Sequence, residues 1–122
     1  MALMTGDDYV ASIRRLKMDI RLLGRRIGNP VDDPMLRPSL NSVKATYDLA
    51  QEGGNEELMT AASHLTGRRI NRFAHIHQGR EDLVRKVKLQ RLCGQRTASC
   101  FQRCVGLDAL HALYSTTFES DR

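Results

Sequence analysis

The sequence predicts a mainly α chain, with the option of one short hairpin near residues 20–27, and three observations carry that prediction. Apolar residues recur at helical spacing in three separate stretches: Val10, Ile13, Leu16 and Ile20; Leu36, Leu40, Val43, Tyr47 and Ala50; and Phe101, Val105, Ala109 and Ala112. All three prolines fall in one segment, GNPVDDPMLRP, which separates the first stretch from the second. The 122 residues, 41% hydrophobic and 27% charged, suit one globular domain and are too few for two.

The first helix is expected to start near Gly6, because Thr5 followed by Asp8 reads as a variant of the capping box, in which each side chain satisfies a free backbone N–H at the helix start. From Ile20 to Ile27 the chain either extends this helix or turns back on itself at Gly24, and the turn is the favoured reading. Asn29 to Arg37 should be extended or turning, since residues before proline are pushed out of the helical region. Pro38, at a first-turn position, then opens a second helix that Gly53 and Gly54 are expected to stop.

The pattern weakens from Glu56 to Gln78, and no element is assigned there. Helical character resumes at Arg80, where Glu81 and Asp82 complement the positive end of the helix dipole and Leu83, Val87 and Leu92 form an incomplete apolar stripe, with Gly94 as a break or a close approach. A fourth helix follows along the Phe101 stripe. No glycine cap or proline stop follows Phe118, so residues 1–122 are expected to be a part cut from a longer chain.

Several function classes lose support on composition. No run of about 18 apolar residues and no basic, apolar leader occurs, which predicts a cytoplasmic protein with no membrane span. Three cysteines without a secretion signal read as reduced thiols or metal ligands rather than as a disulfide framework. The net charge of +5 is concentrated between Arg80 and Arg96, yet aromatics are only 5% of residues and Trp is absent, so nucleic acid is disfavoured as a partner. A basic helical module that binds protein or nucleic acid stays open as a non-enzymatic alternative. No GxGxxG, P-loop, nucleophile elbow or HExxH motif occurs.

Cys100 and Cys104 are four residues apart, so on a helix their side chains share one face, with β-carbons about 5–6 Å apart. Two thiolates so placed suit two irons of one cubane, each taking one terminal ligand; buried apolar packing is the competing reading. Cys93 is read as packing. His75 and His77 diverge on either a helix or a strand and make no metal pair, and His64 and His111 stand alone. Arg68, Arg69 and Arg72 have forked donors suited to a phosphate or carboxylate, against the alternative of a solvated surface.

The strings KVKLQRLCGQRTASCFQRCVGLDAL, INRFAHIHQ and DDPMLRPSLNSVKATYDLA resemble the amino-terminal region of the 4-hydroxybutyryl-CoA dehydratase (vinylacetyl-CoA isomerase) family. The likeness spans nearly the whole chain and is most specific at ASCFQRCVG. The opening MTGDDYVASIRRL and the DDPMLRPS segment also resemble the wider family of flavin-dependent 4-hydroxyphenylacetate hydroxylases, whose oxygenase component is the enzymatic alternative and which lacks the cysteine pair. The dehydratase resemblance implies the amino-terminal helical domain of an acyl-CoA dehydrogenase-like fold, in a homotetrameric flavoprotein that acts on an acyl-CoA substrate. It also implies FAD, held mostly by the rest of the chain, and a 4Fe-4S cluster held by Cys100, Cys104 and two ligands beyond residue 122. The same resemblance puts the Gln102 amide near cluster, flavin and substrate as a positioning group that approaches from the side of the cysteine face. Cys93 and the Arg25-Arg26 turn depart from the family's usual residues, and neither touches the cysteine pair.

Overall fold

The computed structural model describes residues 2–98 and 103–120. The order of elements is α1 (Gly6–Arg15), β1 (Ile20–Leu22), β2 (Arg25–Ile27), α2 (Arg37–Asp48), α3 (Glu56–Met59), β3 (Thr60–Ala62), β4 (Arg69–Asn71), a 3-10 turn (Arg72–Ala74), α4 (Arg80–Thr97) and α5 (Arg103–Ser120). The fold is mainly α with two small antiparallel hairpins, β1-β2 and β3-β4.

The capping box forms as the sequence requires. The Asp8 N–H donates to Thr5 Oγ1 at 3.1 Å, and the Thr5 N–H donates to Asp8 Oδ2 at 3.0 Å. α1 then lies against α2 through the stacked rings of Tyr9 and Tyr47, 5.1 Å apart. Gly6 permits that approach: its N–H donates to Asp48 Oδ1 at 3.1 Å, and a β-carbon there would stand 2.3 Å from the same oxygen. Lys44 completes the seat, with its ammonium 2.8 Å from Asp48 and 3.2 Å from Asp7.

The chain does turn back at Gly24, pairing Ile20 with Ile27 and Leu22 with Arg25. Leu23 and Gly24 both have positive φ, 48° and 80°, as a two-residue hairpin loop with mirror-image turn geometry demands. Glycine adopts this conformation freely, whereas Leu23 does so at a steric cost with its side chain 82% exposed. In the proline segment, the buried Asp33 accepts from the Met35 N–H at 2.9 Å and from Arg25 at 3.0 Å, so one carboxylate ties the hairpin to the linker.

α2 ends at Asp48, before the expected stop at Gly53, because the backbone tightens into successive turns and Leu49 and Ala50 enter the core. The core gathers Leu49, Ala50, Met59, Phe73, Leu89 and Cys93, with Leu58 and Leu92 packed beside it. The segment from Glu56 to Gln78, given no element from its pattern, supplies two of these residues through α3 and the 3-10 turn.

α4 corrects two further expectations. Leu83 and Val87 are 51% and 57% exposed, and the buried face carries Leu89 and Cys93 instead. Two turns toward the amino end, Asp82 and Lys86 occupy that same face, which hides its apolar period. The helix also runs through Gly94 without a break and ends at Ala98, whose φ of 50° is left-handed. Ala109 and Ala112 of the Phe101 stretch are both exposed.

Arg72 ties these pieces together, and neither a solvated surface nor an anion site describes it. Only 4% exposed, it donates from Nε to the Leu58 carbonyl at 2.7 Å and from Nη2 to the Glu57 and Thr60 carbonyls at 3.0 and 2.6 Å. These carbonyls cluster at the end of α3, where helix acceptors lack partners and the dipole is negative. Nη1 reaches Asp82 Oδ1 on α4 at 3.4 Å.

Two stability predictions follow from this geometry. Arg72→Met leaves three carbonyls without their donor and takes the guanidinium from the partly buried Asp82 carboxylate, and is expected to destabilise the fold by about 3–5 kcal/mol. Urea denaturation followed by circular dichroism measures this. Leu23→Asn relieves a positive φ at an exposed turn and should raise stability by about 0.5–1 kcal/mol in the same assay.

Candidate functional site

The sequence directs attention to the joint between α4 and α5. Cys100 and Gln102 lie outside the described residues. Cys104 is in the first turn of α5, which begins at Arg103, and its side chain also lies outside the description. With α4 ending at Ala98 and α5 starting at Arg103, no described helix carries both cysteines. Cys93 is one full turn before the end of α4, wholly buried in the core, and its carbonyl accepts from Thr97 Oγ1 at 2.8 Å. Packing is therefore its observed role. Among the described residues no group of three or more His, Cys, Asp and Glu side chains is placed to hold a metal ion. Two cysteine sulfurs could supply at most half of the four terminal ligands a cubane takes.

The arginine trio does not form an anion cradle. Arg72 is committed to α3 and Asp82, and Arg69 pairs with Glu56 at 3.3 Å while its Nε donates to Thr60 Oγ1 at 3.2 Å. What the fold assembles instead, and spacing did not reveal, is a histidine cluster between the 3-10 turn, α4 and α5. His75 Nε2 lies 3.2 Å from Asp82 Oδ2, and its Nδ1 is buried without a hydrogen-bond partner among the described residues. The rings of His77 and His111, 34 positions apart in sequence, stack with centroids 3.7 Å apart and planes 15° from parallel. The His77 N–H points at His111 Nδ1 from 3.5 Å. His64 meets Tyr114 edge-on, with Nε2 and the phenol oxygen 3.5 Å apart.

These contacts seat α5. Beside them runs an apolar groove of about 470 Å3 whose walls include Phe73 and Ile76 on one side and Leu110, Leu113 and Tyr114 on the other. Along the helix axis Leu110, the first groove residue of α5, stands roughly 9 Å from position 104, at 1.5 Å per residue.

The electrostatics follow from burial. Desolvation alone would raise the Asp82 carboxyl, but the Gln78 N–H at 2.9 Å, the His75 ring and Arg72 outweigh it and hold the carboxyl below its usual range. Burial, then the neighbouring His111 and Lys86, pushes His77 down to about 4, with Asp82 acting the other way. His111 is lowered as well, first by burial and then by Lys86. Both rings are thus neutral at pH 7, as a close stack of imidazoles requires.

The pH dependence has a definite sign. A histidine titrating lower when docked than its ordinary value near 6.5 favours docking while neutral. The contribution is therefore complete above about pH 6.5 and is lost as pH falls toward 4. In an NMR titration the His77 ring should show a midpoint near 4, and His111→Gln should move it upward; an unshifted midpoint in the parent chain would contradict the stacked geometry.

Comparison with known proteins places this geometry in a family. The model described as 4-hydroxyphenylacetate 3-hydroxylase N terminal matches residues 5–122. The chain is 54% identical over 120 residues to the 4-hydroxybutyryl-CoA dehydratase/vinylacetyl-CoA-Delta-isomerase of Clostridium aminobutyricum, covering 98% of this chain and 24% of that protein. An oxygen-tolerant archaeal 4-hydroxybutyryl-CoA dehydratase from N. maritimus superposes with a TM-score of 0.89 at 51% identity, over 96% of this chain and 23% of the other. The oxygenase component (HpaB) of 4-hydroxyphenylacetate 3-monooxygenase, solved with FAD, superposes with a TM-score of 0.65 at 22% identity, over 76% of this chain and 19% of the other. The chain therefore spans about a quarter of the length of the dehydratases it resembles. It belongs to the 4-hydroxyphenylacetate 3-hydroxylase amino-terminal family.

Proposed function

We propose that this chain is the amino-terminal part of a 4-hydroxybutyryl-CoA dehydratase/vinylacetyl-CoA isomerase, and that it contributes Cys100 and Cys104 to a 4Fe-4S cluster. The observation that carries this reading is the 54% identity over 98% of the chain to a dehydratase, against 22% to the HpaB oxygenase. The archaeal dehydratase points the same way, at 51% identity and nearly the same coverage.

In this reading the whole enzyme converts 4-hydroxybutyryl-CoA to crotonyl-CoA, with the chain as the helical first domain of an acyl-CoA dehydrogenase-like subunit in a homotetramer. Bound cluster and FAD would supply Lewis acidity toward the substrate hydroxyl and one-electron chemistry. The chain's own part is narrower. The Cys100 and Cys104 thiolates hold iron, and the two further ligands come from elsewhere in the longer protein. The Gln102 amide, neutral at every pH, orients cluster, flavin or substrate by hydrogen bonding. Cys93 takes no part, because it fills the core.

The test is made in the longer protein. Cys100→Ser together with Cys104→Ser should remove most of the bound iron and lower dehydration by at least about a hundredfold, whereas Cys93→Ala should leave iron content unchanged. Iron and sulfide analysis after anaerobic reconstitution, alongside turnover, measures both. Full iron and full turnover in the double variant overturns the assignment.

A further inference from the structure

We propose that the groove between the 3-10 turn and α5 is a docking surface for the polypeptide that follows this segment in the longer protein. The inference rests on the reading of the chain as an amino-terminal part, and it concerns a surface lined by residues other than the cysteines.

α5 has the character of an interior helix. From Ala109 to Phe118 its sequence, ALHALYSTTF, contains no Asp, Glu, Lys or Arg. A helix without a charged face is stable only when most of its circumference is covered. Yet Leu110 and Leu113 are 64% and 62% exposed and Tyr114 is 38% exposed. With Thr117 they recur at i, i+3, i+4 and i+7, a continuous stripe along one wall of the groove. The hydroxyls of Thr116, Thr117 and Ser120 are already satisfied within the helix. Thr116 donates to the Ala112 carbonyl at 2.8 Å, Thr117 to Leu113 at 3.0 Å and Ser120 to Thr116 at 2.8 Å. Covering this helix would leave none of those hydroxyls without a partner, so burial costs little in polar desolvation.

The matched segment is only 24% and 23% of the two dehydratases, and the family model is named for an amino-terminal part, so most of each relative's chain lies beyond the matched segment. No described helix is long and apolar enough to cross a membrane, which removes lipid as the cover for α5 as a spanning segment. A groove of about 470 Å3 accepts a few large apolar side chains, the scale of one helix or strand laid along it.

The chain is produced together with a second polypeptide, the part of the Clostridium relative that follows the matched segment. Retention of that polypeptide on the tagged chain is expected, together with slowing of amide exchange across residues 109–117 by about tenfold or more. Leu110→Glu with Leu113→Glu should lower retention at least about tenfold, while Leu23→Glu, more exposed and in the β1-β2 turn, should not. Circular dichroism of each variant alone checks folding, and Leu110→Gln with Leu113→Gln provides a milder second pair. Failure of the parent chain to retain the polypeptide overturns the proposal, as does equal retention by the variants. A self-association of the parent chain that the Leu110 and Leu113 changes abolish also overturns it, by assigning the surface to a second copy. A complex that forms but never loads iron leaves docking intact and counts against the cluster reading instead. An iron-loaded complex indifferent to the leucine changes does the reverse.

Discussion

One buried guanidinium decides how the second half of this chain can fold. Arg72 satisfies three carbonyls around the end of α3 and reaches the carboxylate of Asp82 in the first turn of α4. A short helix such as α3 cannot satisfy its own carbonyls, and a half-buried carboxylate is stabilised by a nearby cation, so the one guanidinium serves both. Asp82 in turn fixes the Gln78 N–H and the His75 ring. The start of α4, the 3-10 turn and the base of the histidine cluster are thereby held by one connected set of hydrogen bonds. Partly satisfied, such a network would be a liability; here only His75 Nδ1 is buried without a partner among the described residues.

The consequence for the candidate site is directional. With its first turn fixed by Asp82, α4 buries Leu89 and Cys93 and ends at Ala98, close to the cysteine segment. Arg96 pairs with Glu52 near that end, so both ends of α4 are anchored to the turns and short helix that follow α2. α5 then returns past the 3-10 turn, and among the described residues its seat is made of imidazoles and apolar side chains. A seat of that kind is sensitive to protonation and open to an additional apolar layer. The rest of the domain, by contrast, is closed by ion pairs at Asp48, Asp33 and Asp82.

Likeness to the dehydratases and to the HpaB oxygenase separates at the level of residues rather than of backbone. The fold is shared with the oxygenase at 22% identity, whereas identity above 50% is shared with the two dehydratases over nearly the whole chain. The helical frame is thus a scaffold common to different chemistries, and the residues set upon it carry the distinction.

Local chemistry was readable from the sequence. Thr5 and Asp8 fixed the start of α1, Gly24 fixed the hairpin, and the prolines fixed the linker, because each acts on backbone within a few residues of itself. The resemblance at ASCFQRCVG points to the dehydratases, two of which share more than 50% identity with the chain. What tertiary structure decided was every matter of distant partners: that Arg72 is interior, that α4 buries Leu89 rather than Leu83, and that His77 meets His111 across 34 positions. Spacing along a chain reports only which residues share a face of one element. Whether that face is covered, and by what charge or ring, depends on elements brought together by the global packing of the core.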